Sequence, residues 1–285
     1  MVQLNSTASP PVLMLLHGMF GQSDNWRSCA VRLARHWRVI APDLPVLDLP
    51  LGDTGVRSLV DHVEKLLDRE SIDRVVIAGN SLGGHIALSL ALRHPRRVAA
   101  LVLAGSSGLF KRGFEAVVPR RPSREWVRRK IREVFFEDQH ASPQLVDEVY
   151  GTVTDIRRAR KIVRMAKSAK HENLGDNLHR VGCPVLLVWG KEDIITPPAI
   201  AHEFKHYIPQ AELHFIPRCG HSPNIERPDE LSQIVEGFLE LNFHHDSVGT
   251  HARDCSCGVA RKRMSTSRSL SSSHENGCCR NSPWP

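Results

Sequence analysis

Short runs rich in Val, Ile and Leu punctuate the chain, with stretches of helical spacing between them. "PVLMLLHG" (11–18), "RVIAPDL" (38–44), "RVVIAGNS" (74–81), "VAALVLAGSSG" (98–108), "PVLLVWG" (184–190) and "AELHFIP" (211–217) read as strands. Their apolar positions are nearly continuous rather than alternating, the pattern of strands covered on both faces. "NWRSCAVRLARHW", "GVRSLVDHVEKLLD", "SLGGHIALSLALRHP", "PPAIAHEFKHYI" and "RPDELSQIVEGFLE" place apolar residues at helical intervals. Strand–helix alternation of this kind predicts an α/β fold, a doubly wound and mostly parallel sheet with right-handed crossovers.

The alternation breaks once. Residues 109–180 hold no convincing strand but do hold helical segments such as "SREWVRRKIREVFF" and "ASPQLVDEVYGTV". An insertion leaving a parallel sheet at a strand's carboxyl end overlies the edge where ligands bind. The reading is therefore a core of 11–108 and 181–241, with a helical cap, 109–180, inserted after the fourth recognisable strand. Phe110, Phe114, Trp126, Phe135, Phe136 and Met165 are the expected apolar walls of that cap. Residues 242–285 have no periodicity, are rich in Ser, Arg and Cys, and read as a disordered tail.

Composition narrows the class. The 285 residues are long enough to bury a sizeable core, and 41% of them are apolar. No apolar run approaches the ~18 residues of a membrane span. The start, "MVQLNSTASPP", carries neither a basic nor an apolar leader region, which predicts no secretory signal. Seven cysteines without a framework spacing fit a reducing, cytoplasmic setting. The net charge of +7 is uneven: the segment 108–180 has 17 Lys+Arg against 10 Asp+Glu, and 241–285 has 6 against 3. No nucleic-acid-binding motif accompanies this excess, so no nucleic-acid partner is expected.

The chemistry is concentrated in loops after strands. Gly79-x-Ser81-x-Gly83 alone is a weak signal, since three such positions recur by chance in roughly one chain of this length in ten. Its setting, after a strand and opening a helix, is that of a nucleophile elbow. A serine hydroxyl needs a base to take its proton, and His221 in "RCGHSPNIERPDE" follows the last strand. The histidine needs a carboxylate to hold its tautomer, and Asp193 in "VWGKEDIITPP" follows the fifth. Its neighbour Glu192 and, less well placed, Asp43 are the rivals. Backbone donors for an oxyanion are expected at Leu82 and at Met19, with Phe20 as an alternative, from the loop "HGMFGQSDNW". His17, just ahead of that loop, reads as its structural support.

"HGMFGQSDNW", "GNSLGGHIAL", "WGKEDIITP" and "CGHSPNIERP" stand in the order of the α/β-hydrolase motifs, and over about 11–241 the chain resembles that superfamily. The resemblance implies a serine hydrolase with no metal and no organic cofactor, acting on a small-molecule ester or acyl substrate. Two departures stand out. Only ten residues precede "PVLMLL", where the family commonly has a strand pair, and "PVLDLPLGDTG" replaces the usual Gly-rich loop after "APDL".

Carboxylic-ester hydrolysis is the first reading of this site. "GNSLGG" is also similar to the motif of meta-cleavage-product hydrolases, which makes carbon–carbon bond hydrolysis the alternative, and a ligand receptor reusing the fold is a third. Asn25, Phe20, His85 and Trp126 are candidate pocket residues, with core packing the competing role for His85 and for Trp26. The cap arginines read mainly as a solvated face, a minority of them turned inward toward an anionic substrate.

Overall fold

A computed structural model describes residues 11–109, 119 and 121–243 of the chain. Six strands form one sheet: β1 (Val12–Leu16), β2 (Val39–Ile40), β3 (Val75–Asn80), β4 (Val98–Ala104), β5 (Val185–Gly190) and β6 (Glu212–Ile216). Their order is β2-β1-β3-β4-β5-β6 and every pairing is parallel. The helices are α1 (Arg27–Leu33), α2 (Val56–Arg69), α3 (Leu82–Arg93), α4 (Arg124–Arg132), α5 (Pro143–Thr154), α6 (Ile156–His171), α7 (Pro198–Tyr207), α8 (Pro223–Glu226) and α9 (Pro228–Phe243). All six strand readings are matched. None of the described helices is long and apolar enough to cross a membrane.

Successive strand residues point to opposite faces, and here each face buries its own apolar layer. Met14, Leu16, Ile77, Leu101, Leu103, Leu187 and Trp189 pack with α2, α3 and α7. Leu13, Leu15, Val76, Ala78, Val102, Leu186 and Val188 pack with α1 and α9. This two-sided cover explains the unbroken apolar runs in β1, β3, β4 and β5. The last strand differs: β6 alternates exposed and half-buried positions as an edge strand covered mainly on one face.

Between β4 and β5 every described element is a helix, as the missing strand pattern predicts. Val127, Ile131, Ala141 and Val146 form a small apolar cluster of their own. The third described helix of the insertion, α6, packs differently: its Ile162 and Met165 join the layer that holds α2. The Ser168 hydroxyl also accepts the amide of Val56 at 3.0 Å, at the start of α2. Met165 is thus a core residue rather than a pocket wall. Trp126 and Phe135 pack against the insertion's own cluster. Phe136 is 41% exposed, beneath the Arg218 guanidinium. Phe110 and Phe114 lie outside the described residues, as does the tail from 244 onward; 242 and 243 belong to α9.

Candidate active site

A parallel sheet delivers all its carboxyl ends to one edge, and the sequence places its chemistry there. Ser81 directly follows β3 and has φ 53° and ψ −114°. This is a conformation that L-residues other than glycine avoid, and it marks stored strain at a turn. The turn is possible because strand and helix meet at two glycines: a methyl group on Gly79 would lie 2.3 Å from the backbone of Gly83. The Ser81 carbonyl accepts the amides of Gly84 (3.1 Å), His85 (3.2 Å) and Ser107 (3.1 Å), which locks the turn.

His221 and Asp193 are joined. His221 Nδ1 lies 2.9 Å from Asp193 Oδ2, and both residues are buried. With Nδ1–H donating to the carboxylate, Nε2 is left as the acceptor nitrogen. Asp193 is itself held: its Oδ1 accepts the amides of Ile195 (2.8 Å) and Thr196 (2.9 Å). The Thr196 hydroxyl lies 2.9 Å from Oδ2 and 3.2 Å from the Gly105 carbonyl. Gly105, at φ 53°, leaves room for the pair, since a methyl group there would meet His221 O at 2.7 Å and Asp193 Oδ2 at 3.3 Å. The link to the serine turn is Asn80, whose side-chain amide donates to His221 O at 2.9 Å and to Ala104 O at 3.0 Å. Sequence patterning alone does not single out Thr196, Gly105 and Asn80, although all three stand in or beside the quoted motifs.

Glu192, the rival acid, instead accepts the amide of Cys219 at 3.0 Å. Asp43 is exposed and accepts the amide of Ser23 at 2.6 Å, which holds its carboxyl below the usual range. His17 is the loop support anticipated. Its Nδ1 donates to Gly18 O at 2.8 Å, its Nε2 accepts the amide of Leu44 at 2.8 Å, and burial pushes its imidazole down. A methyl group at Gly18 would lie 3.5 Å from Ser81 Cβ, so the loop that carries Met19 runs beside the serine. Among the described residues the amides of Met19 and Leu82 have no backbone or side-chain acceptor. Donors of that kind are what an oxyanion requires.

The other candidate pocket residues divide. Phe20 is 47% exposed. Asn25 Oδ1 accepts the amide of Gln22, and its carbonyl accepts from Asn224, so it braces the loop. Trp26 is buried in the α1–α9 layer. His85 is fully buried and, among the described residues, neither ring nitrogen makes a full hydrogen bond. No lysine or arginine of the described insertion is buried. Arg121, Arg160, Arg164 and Lys167 line an open groove of about 840 Å³ that includes none of Ser81, Asp193 and His221. The described basic residues of the insertion are exposed or half-buried, Lys161 reaching the Leu47 carbonyl.

Residues 13–234 match the model of the alpha/beta hydrolase family. The chain belongs to that family. Among relatives of this hydrolase, a 2-hydroxy-6-oxo-2,4-heptadienoate hydrolase of Pseudomonas putida is 30% identical over 75% of this chain and 83% of its own length. A 2-hydroxymuconate semialdehyde hydrolase of a Pseudomonas species is 30% identical over 80% of this chain and 86% of its own. The crystal structure of a meta-cleavage product hydrolase from Pseudomonas fluorescens superposes with a TM-score of 0.71 at 27% identity, covering 81% of this chain and 91% of that one.

Proposed function

We propose that this hydrolase cleaves a carbon–carbon bond of a 2-hydroxy-6-oxo-2,4-dienoate, with Ser81 as nucleophile, His221 as base and Asp193 as its orienting carboxylate. The observation that carries the reading is the similarity, over most of their lengths, to relatives named for such substrates. The buried His221–Asp193 pair beside the Ser81 turn supports it. Chemically, breaking the C5–C6 bond requires a stabilised carbanion. Ketonisation of the 2-hydroxyl with protonation at C5 gives a 2-oxo-3-enoate that can accept the electron pair. Ser81 Oγ then adds to the 6-oxo carbonyl while His221 Nε2 takes its proton, and the amides of Leu82 and Met19 receive the oxyanion. The C5–C6 bond breaks, its electrons pass into the conjugated ketone as a dienolate, and His221 returns the proton to give a 2-hydroxydienoate. Water, deprotonated by His221, finally attacks the acyl-serine, and His221 returns that proton to Ser81 Oγ as the carboxylic acid leaves.

An ester hydrolysis, which the motifs alone place first, would use the same steps with an alkoxide as leaving group. The named relatives favour the dienoate. Loss of visible dienoate absorbance, compared with release of p-nitrophenol from short acyl esters, separates the two. The expected outcome is a kcat/KM for the dienoate at least about 100-fold above that for any ester. A preference for the esters would overturn the carbon–carbon reading, and a single product equivalent per chain would point to a receptor.

A further inference from the structure

Behind the histidine loop lies a second buried carboxylate that the triad does not use. Glu226, at the end of α8, is 4% exposed. Its Oε1 accepts the amides on either side of His221, from Gly220 at 2.9 Å and from Ser222 at 3.4 Å. Its Oε2 accepts the amide of Phe136 at 2.7 Å, in the stretch that follows α4 in the helical insertion. The amide of His221 itself donates to Val134 O at 2.8 Å, in the same stretch. Three consecutive amides, 220 to 222, therefore end on Glu226 and on the insertion. Gly220 makes the approach possible, since a methyl group there would meet Val134 O at 2.6 Å. Outside this buried contact, Glu137 pairs with Arg227 at 2.7 Å and Arg218 at 3.4 Å, which holds the same two segments from the solvent side.

We infer that Glu226 is a positioning residue: it fixes the backbone of His221 and couples that base to the insertion segment 134–136. Burial pushes its carboxyl above the ordinary range, so keeping the anion here is costly unless its acceptor oxygens are used. A carboxylate serves this place because both oxygens accept. A glutamine of the same shape offers one acceptor oxygen and turns an N–H toward an amide donor. Movement of the 134–136 segment is thereby transmitted to the imidazole that the reaction depends on. The inference rests on the role proposed for His221.

The test compares Glu226→Gln and Glu226→Ala with the wild type in kcat, KM, pH profile and thermal unfolding, using the dienoate and short-ester substrates. Both variants are expected to lower kcat by about 10- to 100-fold with KM within about threefold, Gln less than Ala. The acidic limb of the pH–kcat/KM profile and the far-downfield proton resonance of the His221–Asp193 hydrogen bond are expected to shift or broaden. Glu137→Gln, a half-buried surface change, reaches the same segment from outside and is expected to lower kcat about two- to fivefold at unchanged KM. Folded Glu226 variants with wild-type kcat and an unmoved pH limb overturn the inference. If the Glu226 variants do not fold, an unchanged kcat and pH limb in Glu137→Gln overturns it. Ser81→Ala separates the two levels. Activity surviving in that variant sinks the triad itself, whereas an inactive Ser81→Ala beside a fully active Glu226→Gln sinks only the positioning role.

Discussion

Asn80 reaches past the serine that follows it to hold the carbonyl of His221, its Nδ2 lying 2.9 Å from that oxygen. Asn80 and His221, 141 residues apart, thus tie the Ser81 turn to the His221 loop through one side-chain amide. Asn80→Ala would leave His221 O and Ala104 O without this donor in a buried setting. The expected cost is about 1–3 kcal/mol of stability. Turnover should suffer beyond that, with kcat falling more than KM rises. Urea unfolding and steady-state kinetics on the same preparation check both, and a stability loss with unchanged kcat would show that the bond serves folding only.

Ser81 carries backbone strain at the turn between β3 and α3. At φ 53° and ψ −114°, a non-glycine residue costs about 1–3 kcal/mol. Ser81→Ala keeps that backbone and should abolish turnover, by about 10⁶-fold if the three groups act as a unit. Ser81→Gly should be equally inactive yet melt about 2–4 °C higher, relief of strain outweighing the entropy of glycine by about 1 kcal/mol. A glycine variant that melts below wild type would contradict the strain assignment.

Much of this was legible from the chain because parallel strands buried on both faces leave continuous apolar runs, and because their carboxyl ends place Ser81, Asp193 and His221 in one row of loops. The edge strand was less legible: "AELHFIP" reads as apolar, but among the described residues no strand pairs beyond β6, and Glu212 and His214 are exposed. Trp126 and Met165 sit on amphipathic helices whose apolar faces look alike in sequence. Only the packed structure shows that one closes the insertion's own cluster and the other joins the layer of α2. Glu226 has a sequence signal of its own, an acidic residue in "CGHSPNIERP" shortly after His221.

Asp193 depends on Thr196 for one of the bonds to its Oδ2 and on the amides of Ile195 and Thr196 for its Oδ1. Asp193→Asn would present an N–H to His221 Nδ1 or force the other tautomer, which moves the proton onto the nitrogen that accepts from Ser81 in the proposed mechanism. A loss of about 10⁴ in kcat is the scale for that change in a Ser–His–Asp site. Thr196→Val removes only the hydroxyl and is expected to cost about 10-fold or less, a ratio set by one neutral hydrogen bond of about 1 kcal/mol. Equal losses in the two variants would mean that Thr196 does more than orient the carboxylate.

His85 makes stability depend on pH in a direction that can be worked out. Burial pushes its imidazole down from 6.5 to about 4, with a backbone contact at Glu172 only partly offsetting it. Between those values the unfolded chain binds a proton that the folded chain refuses, so stability rises with pH. The contribution is complete above pH 6.5 and is lost as pH falls toward about 4. A difference of roughly 2.5 pH units corresponds to about 3 kcal/mol across that window. His17, also pushed down by burial, adds a slope of the same sign. The ring sits beneath Gly108, where a methyl group would lie 3.8 Å from His85 Cδ2, and Leu174 N donates to Gly108 O at 2.8 Å. Protonation should therefore be felt first where the insertion's exit is tied to the end of β4. His85→Phe cannot take up the proton in either state, and its unfolding free energy should fall less steeply than wild type between pH 6.5 and 4.5. Urea unfolding at pH 7.5, 6.0 and 4.5 measures this, and parallel curves for the two proteins would remove His85 as the source of the acid sensitivity.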